Sequence, residues 1–274
     1  MFYEDKTGKI YYEYYPADKA GSNDAKLQNI ETLVFIHGNT LDLTMWAKQL
    51  EFFKGKFNIL LYDMRGFGKS EIPKGEHSRD GDLILLLKHL NICKVTLVGI
   101  SRGAQVAVDV ANIYPEYVSK LIVADPVITS WSSEKPSMTA KFWEETIAIA
   151  RAEGVNAGKE HWFKAPLFDA VRQNKLVMQS LKPIMENYNG WNWLQDENRI
   201  EPRINPMDDL SNIKIPTLII CGELDLEEYH ECARFLNSKI AGSEMKIVKG
   251  AGHLVNIEEP ERFNEVVGDF LVKA

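Results

Sequence analysis

Three patterns are missing from this 274-residue chain, and each absence removes a class of function. There is no Lys/Arg cluster: 32 basic residues stand against 39 acidic ones, a net charge of −7. That balance argues against a nucleic-acid partner or an anionic membrane surface. No apolar run approaches bilayer length, since the longest, such as Leu83 to Leu87, are only a few residues. The opening Met1-Phe2-Tyr3-Glu4-Asp5-Lys6 has neither a basic start nor a following apolar stretch, so it does not read as a secretory leader. Cysteine is scarce too. Cys93, Cys221 and Cys232 are odd in number, far apart and without metal-ligand spacing, which speaks against a disulfide framework or a zinc site. Cys93 and Cys221 lie in or beside apolar segments and are expected to be buried thiols. The expected compartment is the cytoplasm.

What is present is an alternation of short apolar runs with longer amphipathic stretches, the pattern of an α/β chain with a mostly parallel sheet and crossover helices. Strands are expected at Lys9 to Tyr15 (an edge), Thr32 to Ile36, Asn58 to Tyr62, Val95 to Ile100, Lys120 to Ala124, Thr217 to Cys221 and Met245 to Val248. Helices are expected at Asp42 to Lys54, Ser78 to Leu90, Arg102 to Tyr114 and Pro260 to Val272. From Pro126 to about Asp209 the strands stop and the sequence turns helical and aromatic. This divides the chain into a core of residues 1–125 and 210–274 and a helical cap of residues 126–209.

The strongest local signal is Gly99-Ile100-Ser101-Arg102-Gly103. Three fixed letters give on the order of 0.1 chance matches in such a chain, so the context decides. An apolar strand runs into the motif and an amphipathic helix leaves it, which suits a serine on a sharp turn flanked by glycines. A serine nucleophile needs a base. Of six histidines, His253 follows Gly250-Ala251-Gly252 after the last strand, where a loop reaches the top of the sheet. His37 is expected to shape a loop, and His77, His89, His161 and His230 to serve surface or packing roles. The base in turn needs a carboxylate to fix its tautomer. Asp225, after the penultimate strand, is favoured; Asp125, which also ends a strand, competes with it. The order Ser101, Asp225, His253 fits such a sheet. Oxyanion donors are expected in the backbone N–H groups of Asn39 and Arg102. In Asp63 to Ser70 the glycines suggest a phosphate loop, yet no Gly-x-x-x-x-Gly-Lys-Ser/Thr exists; a loop held by glycines and an Asp–Arg contact is the better reading.

Phe35 to Asn39, Tyr62 to Ser70, the Gly99 to Gly103 turn, Pro216 to Asp225 and Gly250 to His253 together resemble the α/β-hydrolase family, over Thr32 to Asp125 and Pro216 to Lys273. The resemblance looks closest to small carboxylesterases, lactonases and carbon–carbon-bond hydrolases. Ser101 speaks against the branches with aspartate at that turn, and Ala104 stands where many relatives carry another glycine. It implies hydrolysis of a small-molecule acyl compound with no cofactor and no metal. Lactone or carbon–carbon cleavage by the same triad, or a ligand sensor without turnover, are the alternatives. Five of six tryptophans fall in residues 126–209. Trp131, Trp143 and Trp162 are expected to contact a small to medium apolar or aromatic acyl group.

Overall fold

The computed structural model describes residues 1–18, 30–133, 135–195 and 210–273. Eight strands form one sheet: β1 (Phe2–Asp5), β2 (Gly8–Tyr15), β3 (Thr32–Ile36), β4 (Asn58–Tyr62), β5 (Val95–Ile100), β6 (Val118–Ala124), β7 (Thr217–Gly222) and β8 (Glu244–Val248). Their order is β1-β2-β4-β3-β5-β6-β7-β8. The pairs β1–β2 and β2–β4 are antiparallel and all others parallel. Strands β3 and β5 are buried at every residue, as expected where helices cover both faces of a parallel sheet. The expected edge strand at Lys9 to Tyr15 is instead second from the edge, because Phe2–Asp5 pairs outside it.

The crossovers are α1 (Ala47–Phe53), α2 (Arg79–His89) and α3 (Arg102–Ile113). The turn before α1 is a 3-10 helix, Leu43–Trp46, capped by Asp42, whose carboxylate accepts the Thr44 N–H at 2.9 Å. Ser78 caps α2, with Asp80 and Asp82 in its first turn and Lys88 and His89 in its last, the arrangement its dipole favours. Between β6 and β7 the described residues hold α4 (Met138–Glu153), α5 (Val155–Trp162), α6 (Asp169–Gln173), α7 (Lys175–Asn187) and α8 (Trp191–Leu194), and no strand. The end of the expected cap, residues 196–209, lies outside the described residues. After β7 come α9 (Glu227–Lys239), absent from the sequence reading, and after β8 α10 (Val255–Glu258) and α11 (Pro260–Lys273).

Cys221 and Cys232 are buried, whereas Cys93 is exposed: it sits in the turn between α2 and β5 rather than in the strand. No helix among the described residues is long and apolar enough to cross a membrane.

The sheet order places the functional end. From β3 the chain crosses to β4 on one side, and from β5 it winds away through β6, β7 and β8 on the other. A crevice therefore opens at the carboxyl ends of β3 and β5, where chains of this class bind ligands.

Candidate active site

Ser101 follows β5 at this crevice with φ 52° and ψ −115°, a backbone conformation that side chains rarely adopt. The turn is possible because its flanks are glycines. A Cβ on Gly99 would lie 2.2 Å from the Gly103 carbonyl oxygen, and one on Gly103 would lie 2.0 Å from that of Ile36. Strand, turn and α3 thus pack backbone to backbone, and the hydroxyl is thrust out of the sheet.

His253 Nε2 stands 3.0 Å from Ser101 Oγ, and His253 Nδ1 stands 2.9 Å from Asp225 Oδ2. Both the imidazole and the carboxylate are buried. An ionised carboxylate only accepts, so Nδ1 carries the proton and Nε2 turns its lone pair to the serine. The other Asp225 oxygen, Oδ1, accepts the Leu226 N–H at 2.7 Å. The Tyr229 ring, on α9, packs on the imidazole with centroids 4.1 Å apart, and its hydroxyl meets Thr139 Oγ at 3.2 Å. Burial raises the Tyr229 phenol well above its ordinary range, so it stays neutral. The structure thus brings Ser101, Asp225 and His253 into one line.

Asp125 does not join it. Its carboxyl accepts the N–H of Gly222 at 2.9 Å and, more weakly, that of Val255 at 3.4 Å. It is fully buried, and burial together with the nearby Asp225 charge pushes it well above the usual carboxylate range. It ties the end of β7 to the start of α10.

Asn39 and Arg102 flank the serine from two sides. Arg102 is the first residue of α3, where N–H groups have no partner within the helix. Asn39 follows β3, and Thr40 after it has φ 60°. The Thr40 hydroxyl donates to the Asn39 carbonyl at 2.6 Å and accepts the Trp162 indole N–H at 3.1 Å. His37 sits beneath this loop. The Met64 N–H donates to its Nε2 at 2.9 Å, which leaves Nδ1–H to donate to Gly38 O at 2.7 Å. Burial pulls its pKa down to about 4, so it stays neutral. This matches a loop-shaping role.

In the Asp63 to Ser70 loop, the expected Asp–Arg contact is made by Arg65, although its partners are Asp5 and Asp82 and not the neighbouring Asp63. Asp63 accepts the backbone N–H groups of Leu43 and Lys69, each at 2.8 Å. Both Arg65 pairs close at 2.9 Å.

A cavity of about 710 Å³ opens over Ser101 and His253. Asn39 and Arg102 line it, as do Trp131, Trp143 and Trp162. Trp191 and Trp193 do not reach it. Trp193 is buried against Trp143 and Tyr188, and Trp191 lies over Gly66, where a Cβ would sit 2.1 Å from the indole. Sequence reasoning missed three polar neighbours, Gln105, Tyr229 and Thr40. Gln105 lines the cavity and bridges the Arg102 guanidinium at 2.8 Å and the Thr129 hydroxyl at 2.7 Å. Its place one helical turn after Ser101 was the available signal.

The family model described as "Alpha/beta hydrolase family" matches residues 33–266. The chain is 28% identical over 244 residues to 3-oxoadipate enol-lactonase 2 of Acinetobacter baylyi, covering 86% of each. It is also 28% identical over 293 aligned positions, 100% of both chains, to a 2-hydroxy-6-oxononadienedioate/2-hydroxy-6-oxononatrienedioate hydrolase of Escherichia coli. Among solved structures, the enol-lactonase from Burkholderia xenovorans superposes with a TM-score of 0.80 at 24% identity over 100% of both chains, a likeness of fold.

Proposed function

Because the chain belongs to the alpha/beta hydrolase family and is a hydrolase, we propose that it is a serine hydrolase that forms an acyl-enzyme on Ser101. The observation that carries this reading is the line from Ser101 Oγ through His253 to Asp225, at 3.0 and 2.9 Å. Ser101 Oγ attacks the substrate carbonyl carbon as His253 Nε2 takes the hydroxyl proton. Asp225 holds the imidazole in the required tautomer and balances the imidazolium. The N–H groups of Asn39 and Arg102 stabilise the oxyanion. His253 then gives its proton to the leaving oxygen, and a water, deprotonated by the same nitrogen, releases the acid. The chemistry needs no cofactor or metal.

Residues 126–209 act in this reading as a helical cap on a core of residues 1–125 and 210–274. Trp131, Trp143 and Trp162 receive a small to medium apolar or aromatic acyl group. A cyclic ester is the second reading, favoured by the enol-lactonases among the relatives, since it offers the same carbonyl to the same serine.

The test is labelling by a fluorophosphonate together with initial rates on esters of graded acyl length, a lactone and a dienoate with a cleavable carbon–carbon bond. Repeated turnover on esters, with labelling at Ser101, is the expected result. Labelling without turnover on any of them would make the protein a ligand sensor; no labelling at all would overturn the serine mechanism.

A further inference from the structure

Glu258 closes α10, five residues beyond His253, and its side chain turns back on the loop that carries the histidine. Oε2 accepts the Gly252 N–H at 2.9 Å and Oε1 accepts the Leu254 N–H at 2.9 Å. The two oxygens of one buried carboxylate therefore hold the peptides on both sides of His253. Only a carboxylate does this well: a glutamine offers one acceptor and one donor, so one of the two N–H groups would face another N–H.

The loop has no slack on its other side. A Cβ on Gly252 would lie 2.8 Å from Ala170 Cβ and 3.3 Å from each Glu258 oxygen, so the peptide is held between α6 and the carboxylate. Burial pushes Glu258 above the ordinary carboxylate range, while the two N–H groups and His253 pull the other way.

We propose that Glu258 is a positioning residue for the base. It clamps the backbone on both sides of His253, so that the imidazole keeps its line between Asp225 and Ser101, and it adds a second negative charge behind the imidazolium. This rests on the reading of His253 as general base. The groups in contact with the imidazole are Asp225 from the loop after β7, Tyr229 from α9 and Ser101 from the turn before α3, and Glu258 from α10 lies against the peptides on either side of it. Asp125 lies beyond Asp225, bonded to Val255. With Tyr229 and Ser101 uncharged, Asp225 and Glu258 supply the negative charge.

The experiment compares the full-length wild type with Glu258→Gln and Glu258→Asp. It reads kcat and KM on the preferred ester, and the titration of the His253 imidazole by NMR. In Glu258→Gln, kcat should fall about 10- to 100-fold, the cost of a misplaced catalytic group, with KM within about twofold. The imidazole should titrate about one pH unit lower, the scale of losing one nearby opposite charge. Glu258→Asp keeps the charge on a shorter stem, so it should restore the titration while recovering only part of kcat. A folded Glu258→Gln with wild-type kcat and titration overturns the proposal. If Glu258→Gln does not fold, Glu258→Asp decides: wild-type kcat in that variant overturns it. A wild type that turns over nothing defeats the hydrolase reading alone, since the imidazole titration still decides the role of Glu258.

Discussion

Asp125 and Asp225 follow neighbouring parallel strands, yet their carboxylates face different tasks: Asp225 meets His253 Nδ1 at 2.9 Å, while Asp125 accepts the N–H groups of Gly222 and Val255. Asp225→Asn should fold and lose up to ~10⁴ in turnover, because an amide can impose the wrong imidazole tautomer. Asp125→Asn keeps one acceptor for Gly222 N–H. It should cost about 1–2 kcal/mol of stability and far less activity. Urea melts and kcat/KM of the two variants check this; the reverse ranking would make Asp125 the triad acid.

Ser101→Ala should remove fluorophosphonate labelling and up to ~10⁶ of the turnover. Alanine inherits the same φ of 52° that serine adopts, so the melting temperature should stay within a few degrees of the wild type. Substantial residual turnover in pure protein would sink the assignment of the nucleophile.

A pH effect on stability follows from His37. Its folded pKa, about 4, lies below the ordinary value of 6.5, so between those values the unfolded chain binds the extra proton. Stability from this site is therefore fully present above pH 6.5 and is lost as pH falls towards 4. Between pH 7 and pH 4.5 the loss is roughly 2–3 kcal/mol. His37→Gln lacks this term, so the gap in unfolding free energy between wild type and variant should shrink by that amount over the same range. A gap independent of pH would mean that His37 is not held neutral by burial.

Much of this was legible because the parallel strands are buried on both faces and read as unbroken apolar runs. Thr32–Ile36, Asn58–Tyr62 and Val95–Ile100 stand where the sequence places them. Helix α9 escaped notice for the converse reason. Its buried stripe is Tyr229, Cys232, Ala233 and Leu236, at helical spacing but made of small or polar-tipped side chains among charged ones. Strand β1 is half exposed and mixes charged with aromatic residues, so it carries no clear alternation of hydropathy. In the site, Ser101 and His253 were marked by glycines that the backbone needs. Thr40 and Tyr229 act through contacts with residues distant in sequence and Glu258 through a turn, and a linear reading does not display these. The Arg65 pairing shows the same limit: Asp63 is close in sequence, yet Asp5 and Asp82 receive the guanidinium.

The cavity wall predicts a chain-length profile. Each further acyl methylene should add up to ~0.8 kcal/mol to transition-state binding while it is buried against Trp131, Trp143 and Trp162. Rates should therefore climb with length and fall once the wall is met. Trp143→Ala should move the optimum to longer acyl groups. A profile that is flat, or unmoved by this variant, would mean that these rings pack the helices and do not select substrate.

The same rings give the molecule an optical signature of its own. Trp143 lies edge-on to Trp162 at 5.1 Å and close to Trp193 at 5.9 Å, near enough for their excited states to couple and shape the near-ultraviolet circular dichroism. Trp143 and Trp162 also face the cavity, so an acyl group settling there changes the medium around two of the coupled chromophores. Occupancy can thus be followed without label or turnover, in a Ser101→Ala protein that holds its substrate and leaves it uncleaved.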